Sequence, residues 1–394
     1  MATGMNSHLH VLILAGGSGR RLWPWSRPGS RKPELPLVHD RTPLEEAIET
    51  ALTLVPPDRL HLVAAEGVIS QPGPCQLIIE PRGRNTLSAV TVGALKLFER
   101  DPQSQVIVLP ADHHIADRDA LRNGLYQTVA ALNACESGFW IHGTESAPSG
   151  SYGCVLVDDS SGTVEFIEKP TPEQCEQITE SVAGAASEMK SFRHCGIFAF
   201  GTRFYRDTLS ELGPLDPDLL PEISIDDYLI SHPDFSSSLK FQPLSHRWSD
   251  LGDWRTIRQV RFPHRISRAN VQIRGQEVDS ISHYPPGEPL VLDGVAPLTE
   301  GDLTKRIVCL GMPDLKITHE GSTWRIVGNA DAADSIQTLV FHTTDEVLEI
   351  EGLAGGLVAC MSDLLVVCSE ESLGSGLLQK ASRVLDAELL GDKS

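Results

Sequence analysis

A run of apolar residues followed at once by glycines stands near the start of the chain and most constrains its fold. Residues 10–14 read HVLIL, and residues 15–19 read AGGSG. A short, continuous apolar run with β-branched residues is typical of a central strand that is buried on both faces of a parallel sheet. Glycines directly after such a strand let the backbone turn tightly and bring its N–H groups close to a bound phosphate. The segment therefore predicts an α/β fold with a ligand-binding loop after its first strand.

The same kind of short apolar run returns through the first part of the chain, with helical patterns between the runs. Runs at 60–65, 76–79 and 105–109 predict three further strands. TPLE at residues 42–45 is a capping box with proline at the first helical position, and it predicts a helix that extends to about residue 54. Strands that alternate with helices predict a three-layer α/β domain with a mixed, mostly parallel sheet.

The pattern changes near residue 263. From about residue 266 to residue 370, short runs of Val, Ile and Leu recur at intervals of about 8–12 residues between Gly, Asp and Asn. This spacing is typical of an all-β unit such as a sandwich, a barrel or a β-helix. A helix at about 376–390 is predicted to follow. We therefore predict two domains, one at 1–262 and a smaller β-rich one with a terminal helix at 263–394.

The composition argues against several classes of partner. The chain has 33 Lys and Arg residues against 53 Asp and Glu residues, a net charge of −20, whereas proteins that coat nucleic acid carry positive charge. No stretch approaches the roughly 20 consecutive apolar residues that span a bilayer. The eight cysteines form no CxxC pair, and we expect them to be reduced thiols. We expect a cytoplasmic protein with no nucleic-acid partner and no membrane partner.

The first 33 residues differ from this acidic background, because they contain no Asp or Glu and five basic residues. A cationic segment that also contains a glycine loop favours a site for a polyanion such as a nucleotide. The loop lacks the Gly-Lys-Ser/Thr of a Walker A loop and the third glycine of the dinucleotide fingerprint. A tight strand-to-helix turn beside solvated arginines remains the alternative interpretation of the loop by itself.

Six motifs follow one another between residues 10 and 254. They are LAGGSGRRLWPWSR (14–27), EPRGRNT (80–86), LPADH (109–113), FIEKP (166–170), SID (224–226) and WSDLGDW (248–254). This series resembles the sugar-1-phosphate nucleotidyltransferases, and within that group most of all the mannose-1-phosphate guanylyltransferases. The resemblance implies a Rossmann-like nucleotidyltransferase domain followed by a smaller, β-helix-like domain. It also implies an enzyme that transfers GMP from GTP to mannose 1-phosphate, giving GDP-mannose and pyrophosphate by in-line displacement assisted by Mg²⁺.

The resemblance also assigns roles to single residues. Those implied to be catalytic are Arg21, Lys32, Asp112 and Asp250. Of these, the two aspartates would hold the Mg²⁺ ion, and the two basic residues would hold the departing pyrophosphate. Those implied to bind the nucleotide are Leu14, Ala15, Gly16, Gly17, Ser18, Gly19, Arg84, Asn85 and Thr86. Those implied to bind the sugar 1-phosphate are Tyr152, Gly153, Glu168, Lys169 and His194.

Some of these residues have simpler interpretations when each is taken alone. Asp112 follows a predicted strand, a position where aspartates often cap helices. Glu168 and Lys169 are adjacent, and a surface ion pair between them would contribute little to stability. The adjacent His113 and His114 would point to opposite faces of an extended strand, which argues against a shared metal site.

Two segments depart from the family pattern at positions that line the sugar pocket in the family. GSYGC at 150–154 stands where the family has TGYGY, and HCG at 194–196 stands where it has NSG. Two alternatives therefore remain open: a nucleotidyltransferase for a different sugar 1-phosphate, and a non-catalytic regulatory paralogue that binds a nucleotide sugar. The histidines beyond residue 263 are too scattered for the isomerase domain of bifunctional members, so we expect no isomerase activity. The resemblance is also consistent with a homodimer.

Overall fold

A computed structural model describes most of the chain up to residue 261 and a set of strands beyond it. The described residues are 7–17, 19–26, 31–38, 41–83, 85–135, 137–183, 189–245, 248–261, 271–273, 306–310, 316–320, 323–327, 339–342, 347–351, 357–360 and 364–368. They divide into two compact units, one within Met1–Gly17, Arg31–Glu34 and Arg41–Asp250 and the other within Ser18–Ser30, Leu35–Asp40 and Leu251–Ser394. The predicted domain boundary between 262 and 263 lies outside the described residues and stays a prediction.

The first unit is built on a nine-stranded sheet. Its strands are β1 (Leu9–Leu14), β2 (Leu60–Ala65), β3 (Gln76–Glu80), β4 (Gln105–Pro110), β6 (Phe139–Glu145), β7 (Cys154–Asp158), β8 (Thr163–Ile167), β9 (Met189–Gly201) and β10 (Leu239–Pro243). A separate antiparallel pair joins β5 (His114–Ile115) to β11 (Trp248–Ser249). The strands predicted at 60–65, 76–79 and 105–109 are confirmed.

The strands of the large sheet follow the order β10-β6-β9-β4-β1-β2-β3, and β7 and β8 extend it from β9. Along this order β9 runs antiparallel to both of its neighbours, and all the other strands run in the same direction. The prediction of a mixed, mostly parallel sheet is therefore confirmed. The long antiparallel strand β9 carries the chain across the middle of the sheet, between β4 and β6.

The α-helices of the described residues are α1 (Pro43–Leu52), α2 (Thr86–Arg100), α3 (Arg118–Ala134), α4 (Pro172–Ala183), α5 (Thr202–Leu212) and α6 (Trp254–Arg261). Helix α1 begins with the predicted capping box: the Glu45 N–H donates to Thr42 Oγ1 at 3.1 Å, and the Thr42 N–H donates to Glu45 Oε2 at 2.8 Å. Asp117 caps α3 by accepting a hydrogen bond from the Ala120 N–H at 2.9 Å. Within the described residues, every helix is too short or too polar to cross a membrane.

Apolar side chains pack against both faces of β1. Leu12 lies in one buried cluster with Val90 of α2, whereas Val11 and Ile13 lie in a second cluster with Leu44 of α1. All three β1 side chains are fully buried. The prediction of a central strand buried on both faces is confirmed, and the helices that cover the sheet on its two sides make the three layers of the fold.

In the second unit, the described residues from 271 onward all lie in strands. These are β12 (Val271–Ile273), β13 (Arg306–Leu310), β14 (Lys316–Glu320), β15 (Thr323–Val327), β16 (Leu339–His342), β17 (Val347–Glu351), β18 (Leu357–Cys360) and β19 (Leu364–Cys368). They form two four-stranded sheets, ordered β12-β17-β15-β14 and β13-β19-β18-β16. A β-helix-like or wholly β domain stays a prediction, and the predicted terminal helix at 376–390 lies outside the described residues.

Candidate active site

The carboxyl ends of β1 and β4 lie side by side at one edge of the large sheet. Leu14 of β1 is in register with Pro110 of β4, and the Ala111 N–H donates to the Leu14 carbonyl at 3.0 Å. On the other side of β1, the Ala15 N–H donates to the Val63 carbonyl of β2 at 2.9 Å. Ligands of open α/β sheets bind outside the carboxyl ends of the strands. The glycine loop and the segment after β4 therefore begin at the edge where a ligand is expected.

The glycine loop is described except for Ser18, which lies outside the described residues. Gly17 has a φ of +93° and Gly19 a φ of +59°, in the left-handed region that favours glycine. A Cβ atom added to Gly16 or Gly17 would meet no described atom within 4 Å. This stretch of backbone is therefore open to a close approach by a ligand.

Lys32 joins two of the residues that the motifs single out. It lies in a short 3₁₀ helix, Lys32–Glu34, and its side chain is 9% exposed. Its Nζ donates to Asp112 Oδ2 at 2.7 Å and to the Asp250 carbonyl oxygen at 2.5 Å. Burial is the largest single influence on the pKa of Asp112 and raises it, but the Lys32 ammonium, His113 and the hydrogen bonds to the carboxylate together hold this pKa below its ordinary value. The structure therefore brings Lys32, Asp112 and Asp250 together.

The carboxylate of Asp250 faces Tyr152. The Tyr152 hydroxyl donates to Asp250 Oδ1 at 3.1 Å. The tyrosine ring meets Trp248 edge-on, with 5.4 Å between the ring centroids, and the Arg193 guanidinium lies 4.6 Å from the centre of the same ring. Tyr152 was predicted to bind the sugar 1-phosphate, and in the structure its hydroxyl is directed at a predicted metal ligand. Tyr152 is thus placed to orient the Asp250 carboxylate.

His113 belongs to the same site, although the sequence predictions did not include it. Its Nδ1 accepts a hydrogen bond from Trp248 Nε1 at 3.1 Å, and its Nε2 lies 3.7 Å from Asp112 Oδ1. Burial lowers the pKa of His113. His114 points the other way, with its Nδ1 3.2 Å from Glu46 Oε2, so the prediction that the two histidines face opposite sides is confirmed. The sequence feature that could have indicated His113 is its position directly after the predicted metal ligand Asp112.

The predicted nucleotide-binding residues after β3 are described only in part, because Arg84 lies outside the described residues. Asn85 has a φ of +101° and caps α2, and its Oδ1 accepts a hydrogen bond from the Thr86 N–H at 2.8 Å. Thr86 Oγ1 accepts a hydrogen bond from the Ile225 N–H at 3.0 Å. Arg21, from the first motif, is exposed in the short 3₁₀ helix Arg20–Leu22. A nucleotide-binding role for these residues stays a prediction.

The residues predicted on the sugar side form a second group. The Gly153 carbonyl accepts a hydrogen bond from the His194 N–H at 2.9 Å, and a Cβ atom at Gly153 would lie 3.0 Å from Glu168 Oε2. Glu168 forms an ion pair with Lys169, whose φ is +45°. Burial raises the pKa of Glu168, and the hydrogen bond from Lys169 to Glu168 raises the pKa of the lysine. Gly153, Glu168 and His194 therefore lie close together, as residues that bind the same sugar 1-phosphate would have to. Their role in binding it stays a prediction.

His194 also contacts Asp226, which the sequence predictions did not single out. His194 Nδ1 donates to the His142 carbonyl at 3.0 Å, and its Nε2 lies 3.2 Å from Asp226 Oδ1. The signal for Asp226 was present in the SID motif at 224–226, but nothing local to that motif indicates a contact with a residue 32 positions earlier.

Two buried cysteines flank this group and take no part in its chemistry. Burial raises the pKa of Cys154 to about 11 and that of Cys195 to about 12. Both thiols are therefore protonated near neutral pH and are poor nucleophiles. Among the described residues, no group of three or more His, Cys, Asp and Glu side chains is arranged to hold a metal ion.

Comparison with known proteins finds relatives over most of the chain. The xanthan biosynthesis protein XanB of Xanthomonas campestris pv. campestris is 27% identical over 63% of this chain, and the match spans 58% of XanB. Mannose-1-phosphate guanylyltransferase of Escherichia coli is 27% identical over 64% of this chain and 60% of its own length. The alginate biosynthesis protein AlgA of Pseudomonas putida is 26% identical over 85% of this chain and 71% of its own length. The chain thus spans less than two thirds of XanB and of the guanylyltransferase.

A solved structure from Thermus thermophilus, described as a mannose-1-phosphate geranyltransferase, has a TM-score of 0.66 and 22% sequence identity to this chain. The likeness covers 96% of this chain and 100% of that one, and it confirms the predicted α/β nucleotidyltransferase fold. A family model described as nucleotidyl transferase matches residues 10–262, which is more than half of the chain. This chain therefore belongs to the nucleotidyl transferase family.

Proposed function

We propose that the protein is a sugar-1-phosphate nucleotidyltransferase that transfers GMP from GTP to mannose 1-phosphate, producing GDP-mannose and pyrophosphate. The six motifs, the family membership and a relative named mannose-1-phosphate guanylyltransferase support this. One observation carries the proposal: Lys32, Asp112 and Asp250 come from distant parts of the chain and meet at the carboxyl edge of β4.

The arrangement of charge suits a reaction between two anions. Asp112 and Asp250 would hold Mg²⁺, a hard cation that proteins bind through one or two carboxylates together with phosphate oxygens. The Lys32 ammonium, bonded to Asp112 Oδ2 and to the Asp250 carbonyl, supports this because a protein cation already lies between the two residues. When bound there, Mg²⁺ would neutralise the triphosphate and withdraw charge from the reacting phosphorus.

The remaining residues would position the reactants. An oxygen of the sugar 1-phosphate attacks the α-phosphorus of GTP, while the bond from that phosphorus to the bridging oxygen breaks and pyrophosphate leaves. Lys32 and Arg21 would bind the departing pyrophosphate, and the N–H groups of the glycine loop at 15–19 would contact the nucleotide phosphates. Such a displacement needs positioning and electrostatic stabilisation and no covalent enzyme intermediate.

The group formed by Gly153, Glu168, Lys169 and His194 would bind the sugar 1-phosphate. One observation favours a second candidate function, a nucleotidyltransferase for another sugar 1-phosphate. His194 stands where the mannose-1-phosphate guanylyltransferases, which the sequence resembles, have Asn. It brings a buried imidazole beside Asp226. The transfer chemistry would be the same, and the sugar would differ.

The experiment that tests the proposed function is pyrophosphate release from the full chain with Mg²⁺. GTP, ATP, CTP and UTP are each paired with a panel of hexose and heptose 1-phosphates. We expect the highest rate with GTP and mannose 1-phosphate, and a maximum with another sugar would establish the second candidate. No release with any pair, together with tight binding of a nucleotide sugar, would overturn the proposal in favour of the regulatory paralogue. Cytoplasmic location and a homodimer stay predictions.

A further inference from the structure

A very short pair of strands holds the segments that carry the two predicted metal ligands. Strands β5 and β11 contribute two residues each and pair antiparallel, with His114 opposite Ser249. Asp112 lies two residues before His114, and Asp250 directly follows Ser249. A pair of strands of this length is at best marginally stable by itself. Contacts from other elements must therefore hold the β5–β11 pair in place.

Packing on one side of the segment at 110–115 is incomplete, because an open cavity of about 360 Å³ lies against it. Pro110, His113 and Ile115 line the cavity from this segment, and Glu46 of α1 and Arg118 of α3 line it as well. Side chains that border a cavity lack part of the packing that fixes a filled core. Polar contacts therefore carry a larger share of positioning here than they would in a filled core.

One such polar contact reaches the β5–β11 pair from helix α1. His114 Nδ1 lies 3.2 Å from Glu46 Oε2 and donates to it, since an ionised carboxylate only accepts. Arg118 Nη2 donates to Glu46 Oε1 at 3.1 Å, so both carboxylate oxygens are bonded. The side chains of Glu46 and His114 are only 9% and 7% exposed. Breaking a hydrogen bond of a buried charged group is costly, which makes this contact a firm anchor.

The ionisation of Glu46 agrees with this geometry. Burial is the largest single influence on the pKa of Glu46 and raises it, but His114 and Arg118 together hold this pKa below its ordinary value. Glu46 therefore remains a carboxylate near neutral pH, and its hydrogen bond from His114 is of the stronger, charge-assisted kind.

We infer that Glu46 is a positioning residue for the metal site: through its hydrogen bond from His114 it fixes the β5–β11 pair, and with it the placement of Asp112 and Asp250. The inference rests on the proposed function, in which these two aspartates hold Mg²⁺. Removing a group that orients metal ligands typically weakens metal binding by about 10- to 100-fold. Because Glu46 acts through a contact, the length of its side chain matters more than its charge.

The test is Mn²⁺ binding by the full chain without nucleotide, measured by electron paramagnetic resonance of free Mn²⁺. Glu46→Asp keeps the charge but withdraws the carboxylate from His114 by one methylene group, and we expect Mn²⁺ to bind about tenfold more weakly. Glu46→Gln gives up the charge but keeps the length and an oxygen that accepts from His114, and we expect its affinity to stay within about threefold of the wild type.

Glu49→Asp is the matched control on the same helix. Glu49 also pairs with Arg118, but its side chain is 50% exposed, and we expect wild-type Mn²⁺ affinity. Near-ultraviolet circular dichroism checks folding. His114→Leu removes the donor from the other side of the contact and carries the test, with the same expected loss of about tenfold, if Glu46→Asp does not fold. Wild-type affinity in Glu46→Asp, an equal loss in Glu49→Asp, or a larger loss in Glu46→Gln than in Glu46→Asp would overturn the inference.

Pyrophosphate release from GTP and mannose 1-phosphate separates this inference from the proposed function. In Glu46→Asp we expect half-maximal release to need more Mg²⁺, whereas the KM for mannose 1-phosphate and the kcat at saturating Mg²⁺ stay near the wild-type values. The same Mg²⁺ dependence in both proteins would overturn the positioning role and leave the nucleotidyl transfer standing. Weaker Mn²⁺ binding in Glu46→Asp, with no release of pyrophosphate even from the wild type, would do the reverse.

Discussion

Lys32 is the residue through which the candidate active site is connected. In the described chain its ammonium is bonded to Asp112 Oδ2 and to the Asp250 carbonyl, so it balances the charge of a carboxylate that is proposed to hold Mg²⁺. In the proposed reaction the same ammonium binds pyrophosphate. Lys32 would therefore exchange a carboxylate for phosphate oxygens when the nucleotide and the metal arrive.

We predict that Lys32→Met binds Mn²⁺ more tightly than the wild type in the absence of nucleotide. A unit charge about 4 Å from a divalent ion opposes its binding by roughly 2 kcal/mol even in a water-like medium, so the affinity should rise about tenfold or more. Electron paramagnetic resonance of free Mn²⁺ measures it. Lys32→Arg keeps the charge and is the matched control, and Asp112→Asn should weaken binding. Weaker or unchanged binding in Lys32→Met would contradict the shared site.

The sequence predicts residues that lie in a motif, and it does not predict which distant motifs touch. Lys32, Asp112 and Asp250 were predicted one by one, and the structure joins them across separations of 80 and 218 residues. Tyr152 was expected at the sugar, yet its hydroxyl faces Asp250. The contact of His194 with Asp226 was missed for the same reason: tertiary packing decides it, and no local pattern records it.

At the scale of elements, β1 and β2 carry a pair of histidines away from the candidate site, of which His10 is half-buried and His61 is buried. His10 Nδ1 lies 3.1 Å from His61 Nε2, so one proton serves both atoms, and a proton on each would place two donors face to face. Burial lowers the pKa of His10 to about 4, with Arg59 adding to the shift. Burial and the neighbouring His10 lower the pKa of His61 to about 4.

We predict that the free energy of unfolding falls as the pH is lowered from about 6.5 to about 4. The unfolded chain, with histidine pKa values near 6.5, binds more protons in this window than the folded chain, so stability rises with pH there. Above about pH 6.5 this contribution is complete. Urea denaturation across the window measures it. His10→Asn with His61→Asn should flatten the slope, and a slope equal to that of the wild type would show that the pair does not titrate in this way.

Helix α1 allows a prediction about its first turn. Thr42→Ala removes the hydroxyl that accepts the Glu45 N–H at 3.1 Å, and losing such a cap costs about 1 kcal/mol. Thr42→Ser keeps the hydroxyl and is the matched control. We expect a lower urea midpoint for the alanine variant alone, with pyrophosphate release at the wild-type rate at 25 °C. Equal midpoints for the two variants would mean that the capping box contributes nothing to stability.

The sequence predicts an element closely when its position depends on neighbouring residues. It predicts an element less well when pairing with distant strands determines its length and direction. The capping box at 42–45 and the apolar run at 10–14 fix the start of α1 and the position of β1, because both depend on neighbouring residues. Strand β9, by contrast, runs from Met189 to Gly201 and lies antiparallel between β4 and β6. Its length and direction come from pairing with strands that are distant in sequence.

At the scale of the whole molecule, the chain is acidic, but the segment that contains the glycine loop is basic. The net charge is −20, yet the first 33 residues hold five basic residues and no acidic ones. Lys32 comes from that segment and meets Asp112 at the edge of the sheet. We predict that this concentration of basic residues in an acidic chain binds a nucleotide that brings its own divalent cation, in preference to a long polyanion such as nucleic acid.

The most direct test of the proposed active site compares the full chain with its Asp250→Asn variant, using GTP, mannose 1-phosphate and Mg²⁺ and identifying the product by ³¹P nuclear magnetic resonance. Asp119→Asn is the matched control, because the Asp119 side chain is 79% exposed and paired with Arg122. We predict GDP-mannose and pyrophosphate from the wild type and the control, and a rate lower by about 1000-fold in Asp250→Asn with the fold unchanged. A wild-type rate in Asp250→Asn, or no nucleotide sugar from the wild type, would contradict the proposal.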